Sequence, residues 1–120
     1  MRLNAIPLAA AMLAASFGIA SASDADFTLR NKTGFQIDEV YVSRHSSSNW
    51  GRDIMGQDAL DDGDSKKITF PHNSSACIFD IRVKYNDGDT AEWGSIDLCK
   101  YEKISLFWDA KRQVTRAVGE

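Results

Sequence analysis

Residues 77–85 constrain the fold more than any other part of the chain, because apolar and polar side chains alternate there with a period of two. One face carries Cys77, Phe79, Ile81, Val83 and Tyr85. This alternation predicts a β-strand with one buried face. The turn-forming residues 86–89 follow, with Gly88 suited to a positive φ angle, and the strand pattern resumes at 90–93. The whole segment therefore predicts a β-hairpin.

Shorter strand patterns recur along the rest of the chain. They predict strands at 27–30, 37–43, 65–70 and 104–108, and a short strand or crossing segment at 96–99. Ile37 has the wrong parity to share a face with Val40, so a β-bulge near Asp38 and Glu39 is predicted. Residues 50–57 predict one helical turn, and no long amphipathic helix is indicated. The fold class predicted is all-β: a small antiparallel β-sandwich or barrel with one loop or helical-turn insertion.

The two ends of the chain are predicted to lie outside the β domain. Residues 1–22 combine a positive start, an apolar run and the small residues 20–22, which together indicate a secretory signal peptide. The competing interpretation, a transmembrane anchor, is disfavoured because the run is short and contains Pro7. We expect a β-sandwich domain at 23–110 and a loose basic tail at 111–120, which contains Lys111, Arg112 and Arg116.

Charge and cysteine content narrow the partners and the compartment. Without residues 1–22 the chain has 13 basic and 17 acidic residues, a net charge of about −4. Such an acidic domain is a poor ligand for nucleic acid, whose phosphates need a basic surface. In an exported protein Cys77 and Cys99 are expected to form one disulfide, worth about 3 kcal/mol for a loop of this length. A redox-active role would be typical of a C-x-x-C pair, which is absent.

Aspartates are concentrated before one strand and at the hairpin tip. They are Asp53, Asp58, Asp61, Asp62 and Asp64 in the first group, and Asp87 and Asp89 in the second. Calcium prefers clustered carboxylate oxygens, so these residues are candidate metal or partner contacts. No complete calcium-loop pattern is present, and aspartate and glycine are also the residues that turns prefer. We therefore expect no cofactor and favour turn formation for these aspartates, with a calcium site as the alternative interpretation.

Catalytic patterns are weak. His45 and His72 lack further ligands at zinc spacing, there is no G-x-S-x-G elbow, and no carboxylate pair stands out. We expect no enzyme activity and no catalytic residue. Trp50, beside a glycine in a loop, is a candidate interface residue, but the favoured interpretation is that it closes one end of the sandwich. Trp93 and Trp108 fall in strand patterns and are expected in the core.

Several of these segments together resemble a family of small exported bacterial proteins that is common in alphaproteobacteria. The matching parts are 27–29, 38–43, 49–56, Asp58, Leu60, Gly63, 68–70, Cys77, 79–81, 85–93 and Cys99. The resemblance implies no activity. Some members are labelled argininosuccinate lyase, but those lyases are large helical tetramers, unlike a β-rich chain of this length. The resemblance does imply that residues 50–56 form a folded loop packed on the sandwich.

The function predicted is that of an exported, non-catalytic binding domain. Its acidic loop end would contact a protein, a cationic ligand or an ion. One alternative is an inhibitor of a secreted lysozyme-like hydrolase, and another is a small carboxylate-dependent hydrolase. We expect a periplasmic or secreted monomer with an unknown protein partner or cationic ligand, no nucleic acid and no transmembrane anchor.

Overall fold

A computed structural model describes residues 23–71 and 74–120. The signal-peptide prediction for residues 1–22 and the candidate His72 lie outside the described residues. Seven strands and one short 3-10 helix, Leu98–Lys100, are present in the described part. The strands are β1 (Phe27–Lys32), β2 (Ile37–Arg44), β3 (Ser65–Ile68), β4 (Ile78–Tyr85), β5 (Thr90–Asp97), β6 (Lys103–Asp109) and β7 (Val114–Gly119). The all-β prediction is confirmed.

The strands form two sheets that enclose one core. The first sheet has the order β3-β1-β6-β7 and the second has the order β2-β4-β5. Four of the five strand pairs are antiparallel, as predicted. The pairing of β1 with β6 is parallel and was not predicted. It arises because the chain crosses from β5 through the 3-10 helix to the other sheet and enters β6 in the direction of β1.

The core consists of the inward side chains of both sheets. On β4 the predicted alternation is confirmed, since Phe79, Ile81, Val83 and Tyr85 are all buried. They pack in one cluster with Leu29 and other apolar side chains of the facing sheet. Burying an aliphatic or aromatic side chain of this size contributes about 1.5–3 kcal/mol relative to leaving it exposed, so this inner layer is the main source of stability.

The predicted β-bulge at the start of β2 is present. The register between β2 and β4 shifts between Ile37 and Glu39. As a result Ile37 and Val40 both reach the interior although their parity differs, and both are fully buried. The shift shows how one extra residue restores an apolar face that strict alternation would have divided.

The prediction of a loose tail at 111–120 is wrong. Val114–Gly119 forms β7, which pairs with β6 from Asp109 opposite Val114 to Ile104 opposite Gly119. The basic residues are exposed without being disordered: Lys111 lies in the turn between β6 and β7, and Arg116 points outward from the strand. The domain therefore continues to the last residue. The three basic residues and the small number of apolar ones in this segment led to the prediction of a tail instead of a strand.

The predicted disulfide is confirmed. Cys77 and Cys99 are joined with an S–S distance of 2.07 Å and a Cα–Cα distance of 5.3 Å. The bond links the residue before β4 to the 3-10 helix after β5. Across the described ranges, the chain contains no helix of sufficient length and hydrophobicity to cross a membrane.

Candidate functional site

The loop at 49–64 covers the outer edge of β2. One Asp53 carboxylate oxygen accepts hydrogen bonds from the backbone N–H groups of Val40 and Met55, at 2.8 and 3.0 Å. The Ile54 N–H donates to the Val40 carbonyl at 2.9 Å. Later in the loop, Leu60 forms an isolated antiparallel β-bridge with Ile37, the first residue of β2. Asp53 thus satisfies an edge N–H group, and its carboxylate is committed to holding the loop.

The other loop aspartates are exposed and serve turns. An Asp62 carboxylate oxygen accepts from the Gly34 N–H at 2.8 Å, and the Asp64 N–H donates to the Asp61 carbonyl at 3.0 Å. Asp58 follows the turn that begins at Asp53 and is exposed. Within residues 23–71 and 74–120, the only group of three potential metal ligands is Cys77, Asp97 and Cys99, whose sulfurs are bonded to each other. The structure does not bring the predicted aspartates together as a metal site.

A buried asparagine joins this loop to the turn at 31–36. Asn31 is fully buried, and its amide N–H₂ donates to the carbonyls of Phe35 and Leu60 at 2.8 and 2.9 Å. Its side-chain oxygen accepts from the backbone N–H and the hydroxyl of Thr33 at 3.0 and 2.7 Å. Asn31 therefore fixes the turn that carries Phe35.

Phe35 forms one wall of an open groove of about 810 Å³ at this end of the sandwich. The groove lies between the two edge strands β5 and β7, and the hairpin tip 86–89 closes one side. Its floor joins the two sheets, since the hydroxyls of Tyr85 and Thr115 are hydrogen-bonded to each other. A volume of this size is typical of sites that hold a ligand or a segment of a partner.

Aromatic rings dominate the apolar part of the groove. Phe35 packs edge-on against Tyr85 and Trp108, with ring centroids 6.2 and 6.0 Å apart. Phe35 remains 50% exposed, and Val114 beside it is 46% exposed. Trp108 is half-buried in this groove, so its expected place in the core is wrong. Trp93 is also half-buried, although it does pack against the core.

The charged residues that line the groove are all acidic. They are Asp87, Asp89 and Glu92, and no lysine, arginine or histidine of the described chain is among the lining residues. Glu92 lies 3.7 Å from the Arg82 guanidinium on the outer face of the sheet. Asp87 and Asp89 form no ion pair with any described residue. The hairpin tip therefore places two uncompensated carboxylates beside an aromatic surface.

A second constellation joins His45, Asp80 and Ser95 on the outer face of the β2-β4-β5 sheet. An Asp80 carboxylate oxygen lies 2.8 Å from His45 Nδ1 and accepts the Ser95 backbone N–H at 2.9 Å. These two hydrogen bonds hold the pKa of Asp80 below its ordinary value, the Ser95 bond being the larger cause. The sequence did not predict this grouping, because its members are far apart along the chain.

The three residue types match those of a serine hydrolase, but the geometry does not. Ser95 Oγ is 3.3 Å from His45 Nε2 and 3.5 Å from Nδ1, nearly equidistant, so it is off the lone-pair axis of Nε2. The Ser95 N–H, a natural oxyanion donor, is already bound to Asp80. A carboxylate at that position would repel a developing oxyanion. The arrangement instead braces the bend at Ser95, whose φ is 57°.

The sequence candidates are therefore divided by the structure. Asp87 and Asp89 line the groove, while Asp53, Asp58, Asp61, Asp62 and Asp64 do not. Trp50 is half-buried and is not a groove residue either. Sequence reasoning missed Phe35, although an aromatic residue directly after the Gly34 turn, where no strand is predicted, is a signal for exposure.

Fold and groove together define a disulfide-bonded β-sandwich domain with an acidic, aromatic groove between two sheet edges. An NMR structure of a protein from Eubacterium rectale has a similar fold, with a TM-score of 0.55 at 13% sequence identity. The match covers 85% of this chain and 90% of that one. No protein-family model matches the chain, and neither does any curated protein. The family resemblance drawn from the sequence stays a prediction.

Proposed function

We propose that this protein is an exported, non-catalytic binding domain that holds a basic segment of another protein in the groove between β5 and β7. The observation that carries the proposal is the lining of that groove: three carboxylates and no described cation beside an exposed aromatic surface. Aromatic residues supply contact area, and the carboxylates favour partners that present lysine or arginine. Export is supported by the bonded pair Cys77 and Cys99, since disulfides persist in oxidising compartments.

A basic protein segment fits this groove better than a bare metal ion. The carboxylates of Asp87 and Asp89 are exposed, and one Asp87 oxygen already accepts the Asp89 N–H at 2.9 Å. A metal ion needs several converging oxygen ligands, whereas a lysine or arginine side chain needs one carboxylate and can also lie over an aromatic ring. An inhibitor of a secreted hydrolase would be the special case in which the basic segment borders an enzyme's cleft.

The test measures binding of capped peptides that contain equal numbers of lysine and valine, by calorimetry with the oxidised protein at low and high salt. The double variant Asp87→Asn/Asp89→Asn should weaken binding about tenfold, from two ion pairs of partial exposure. Asp58→Asn/Asp61→Asn removes the same charge from exposed sites outside the groove and should change affinity much less. Equal losses in the two variants would show attraction to net charge alone, and no binding at low salt would refute the proposal.

A second variant separates the aromatic contribution. Phe35→Ala should reduce affinity without altering its dependence on salt, because it removes apolar contact area and leaves both carboxylates in place. If Phe35→Ala has no effect while Asp87→Asn/Asp89→Asn does, the partner binds the hairpin tip and the groove is not its site.

A further inference from the structure

Two sheet edges border the groove, and unpaired edges are the places where proteins accept an additional strand. The sandwich has four edge strands: β2, β3, β5 and β7. The edge of β2 is covered by the 49–64 loop through the contacts of Val40 and Ile37. β3 is only four residues long and carries Lys66 and Lys67. The two edges beside the groove, β5 and β7, are the ones that remain open in the described structure.

Charge distinguishes these two edges. The segment from 110 to 119, which contains β7, has Lys111, Arg112 and Arg116 and no carboxylate. The segment from 86 to 93, which leads into β5, has Asp87, Asp89 and Glu92 and no basic residue. A basic strand is therefore attracted to β5 and repelled from β7.

The backbone limits how much of β5 can pair. At Ser95 the φ angle is 57°, and the Ser95 N–H is bound to Asp80. The β4-β5 register is also irregular between Phe79 and Ile81, opposite this bend. Residues 90–93 come before the bend and continue the regular register, and 90–92 border the groove. This short stretch is the part of the edge available to a partner.

We infer that the basic segment binds as an extended strand added to the outer edge of β5 at residues 90–93. This inference rests on the proposed function and specifies its mode. In an added strand, alternate side chains point to opposite faces. Those on the inner face lie in the groove against Phe35, Trp108 and Val114. Those on the outer face lie beside Glu92 and the hairpin tip. The recognised sequence thus alternates basic and apolar residues.

The experiment compares peptides of equal composition and charge. The alternating peptide Lys-Val-Lys-Val-Lys-Val is matched to the block peptide Lys-Lys-Lys-Val-Val-Val, both capped at their ends. Two further peptides have the alternating sequence with every second amide N-methylated, one in each of the two possible phases. N-methylation removes the hydrogen bonds of one strand edge and keeps all charges and side chains. Backbone amide exchange in residues 90–93 of the protein is followed by NMR with each peptide.

Strand addition predicts that the alternating peptide binds at least about tenfold more tightly than the block peptide. One N-methylation phase should remove that advantage and the other should not. The alternating peptide should also slow amide exchange within residues 90–93 and leave 114–118 unchanged. Equal affinity of alternating, block and both N-methylated peptides would overturn strand addition, and slowed exchange at 114–118 in place of 90–93 would overturn the choice of edge. In both cases a persisting effect of Asp87→Asn/Asp89→Asn would leave the proposed function standing.

Discussion

Replacing Asn31 by aspartate should lower the free energy of unfolding of this domain far more than an asparagine-to-aspartate change at an exposed position. Asn31→Asp keeps the size of the side chain and the oxygen that Thr33 contacts. It replaces the N–H₂ group by an oxygen placed 2.8 and 2.9 Å from the carbonyl oxygens of Phe35 and Leu60. Two donated hydrogen bonds are lost, although the Leu60 carbonyl keeps the Ile37 N–H as a donor and the Phe35 carbonyl keeps the Thr33 hydroxyl. The main cost is a buried carboxylate oxygen that faces two carbonyl oxygens and has no donor of its own, about 1–3 kcal/mol for an unsatisfied buried group and more for a charged one. The expected loss is about 3 kcal/mol or more at neutral pH.

For a domain of this length, 3 kcal/mol corresponds to a fall in Tm of about 12–24 °C. Urea denaturation of the oxidised protein measures the free energy of unfolding, with the m-value checked for two-state behaviour. The matched control is Asn49→Asp, the same chemical change at an exposed loop position. Part of the loss should be recovered in acid, where a protonated aspartic acid can again donate one hydrogen bond. A loss below about 1 kcal/mol at Asn31 would refute the view that this amide fixes the turn carrying Phe35.

Three further changes test other parts of the fold. A Cβ at Gly119 would lie 2.5 Å from the Tyr101 ring, so Gly119→Ala should destabilise by about 1–3 kcal/mol in urea denaturation; stability equal to wild type would show that the ring moves aside. The pKa of Asp80 is lowered in the folded state. The ionised Asp80 therefore stabilises the folded protein at pH values above the pKa that Asp80 has in the unfolded chain, and this stabilisation is lost as the pH falls below about 4. Wild type should therefore exceed Asp80→Asn in stability at pH 7 by more than at pH 2, and a constant difference would contradict the linkage. Reduction of the bond between Cys77 and Cys99, 22 residues apart, should cost about 3 kcal/mol, measured by denaturation with and without reductant; an unchanged midpoint would show that the bridge adds no stability.

Local patterns in the sequence predicted the elements that depend on local physics. The alternation on β4, the turn at Gly88 and the bulge after Ile37 each follow from residues close together in the chain. β7 was missed because only Val114 and a few neighbours are apolar, and its stability comes from pairing with β6. Propensity cannot show that contribution, which belongs to the partner strand.

The candidate site was only partly predictable for the same reason. Asp87 and Asp89 were selected as clustered carboxylates at the predicted hairpin tip, and the structure places them at the groove. Phe35 and Trp108 contact each other from positions 73 residues apart. The hydrogen bond from the Val40 N–H to Asp53 likewise depends on how the folded chain places the loop against the edge of β2. A surplus of aspartates in one stretch therefore predicted acidity, but it did not predict which carboxylates share a surface.

The parallel pairing of β1 with β6 has a consequence for the time at which the protein can fold. β1 lies inside its sheet between β3 and β6, and its neighbour begins only at Lys103. The hairpin of β4 and β5 can form early, because its strands are adjacent in the chain and both cysteines lie at its open end. The first strand can pair with β3 once residue 68 is available, but its pairing with β6 must wait for nearly the whole polypeptide. Such distant pairing slows folding, and it keeps the core from closing before the last strands of the chain are present.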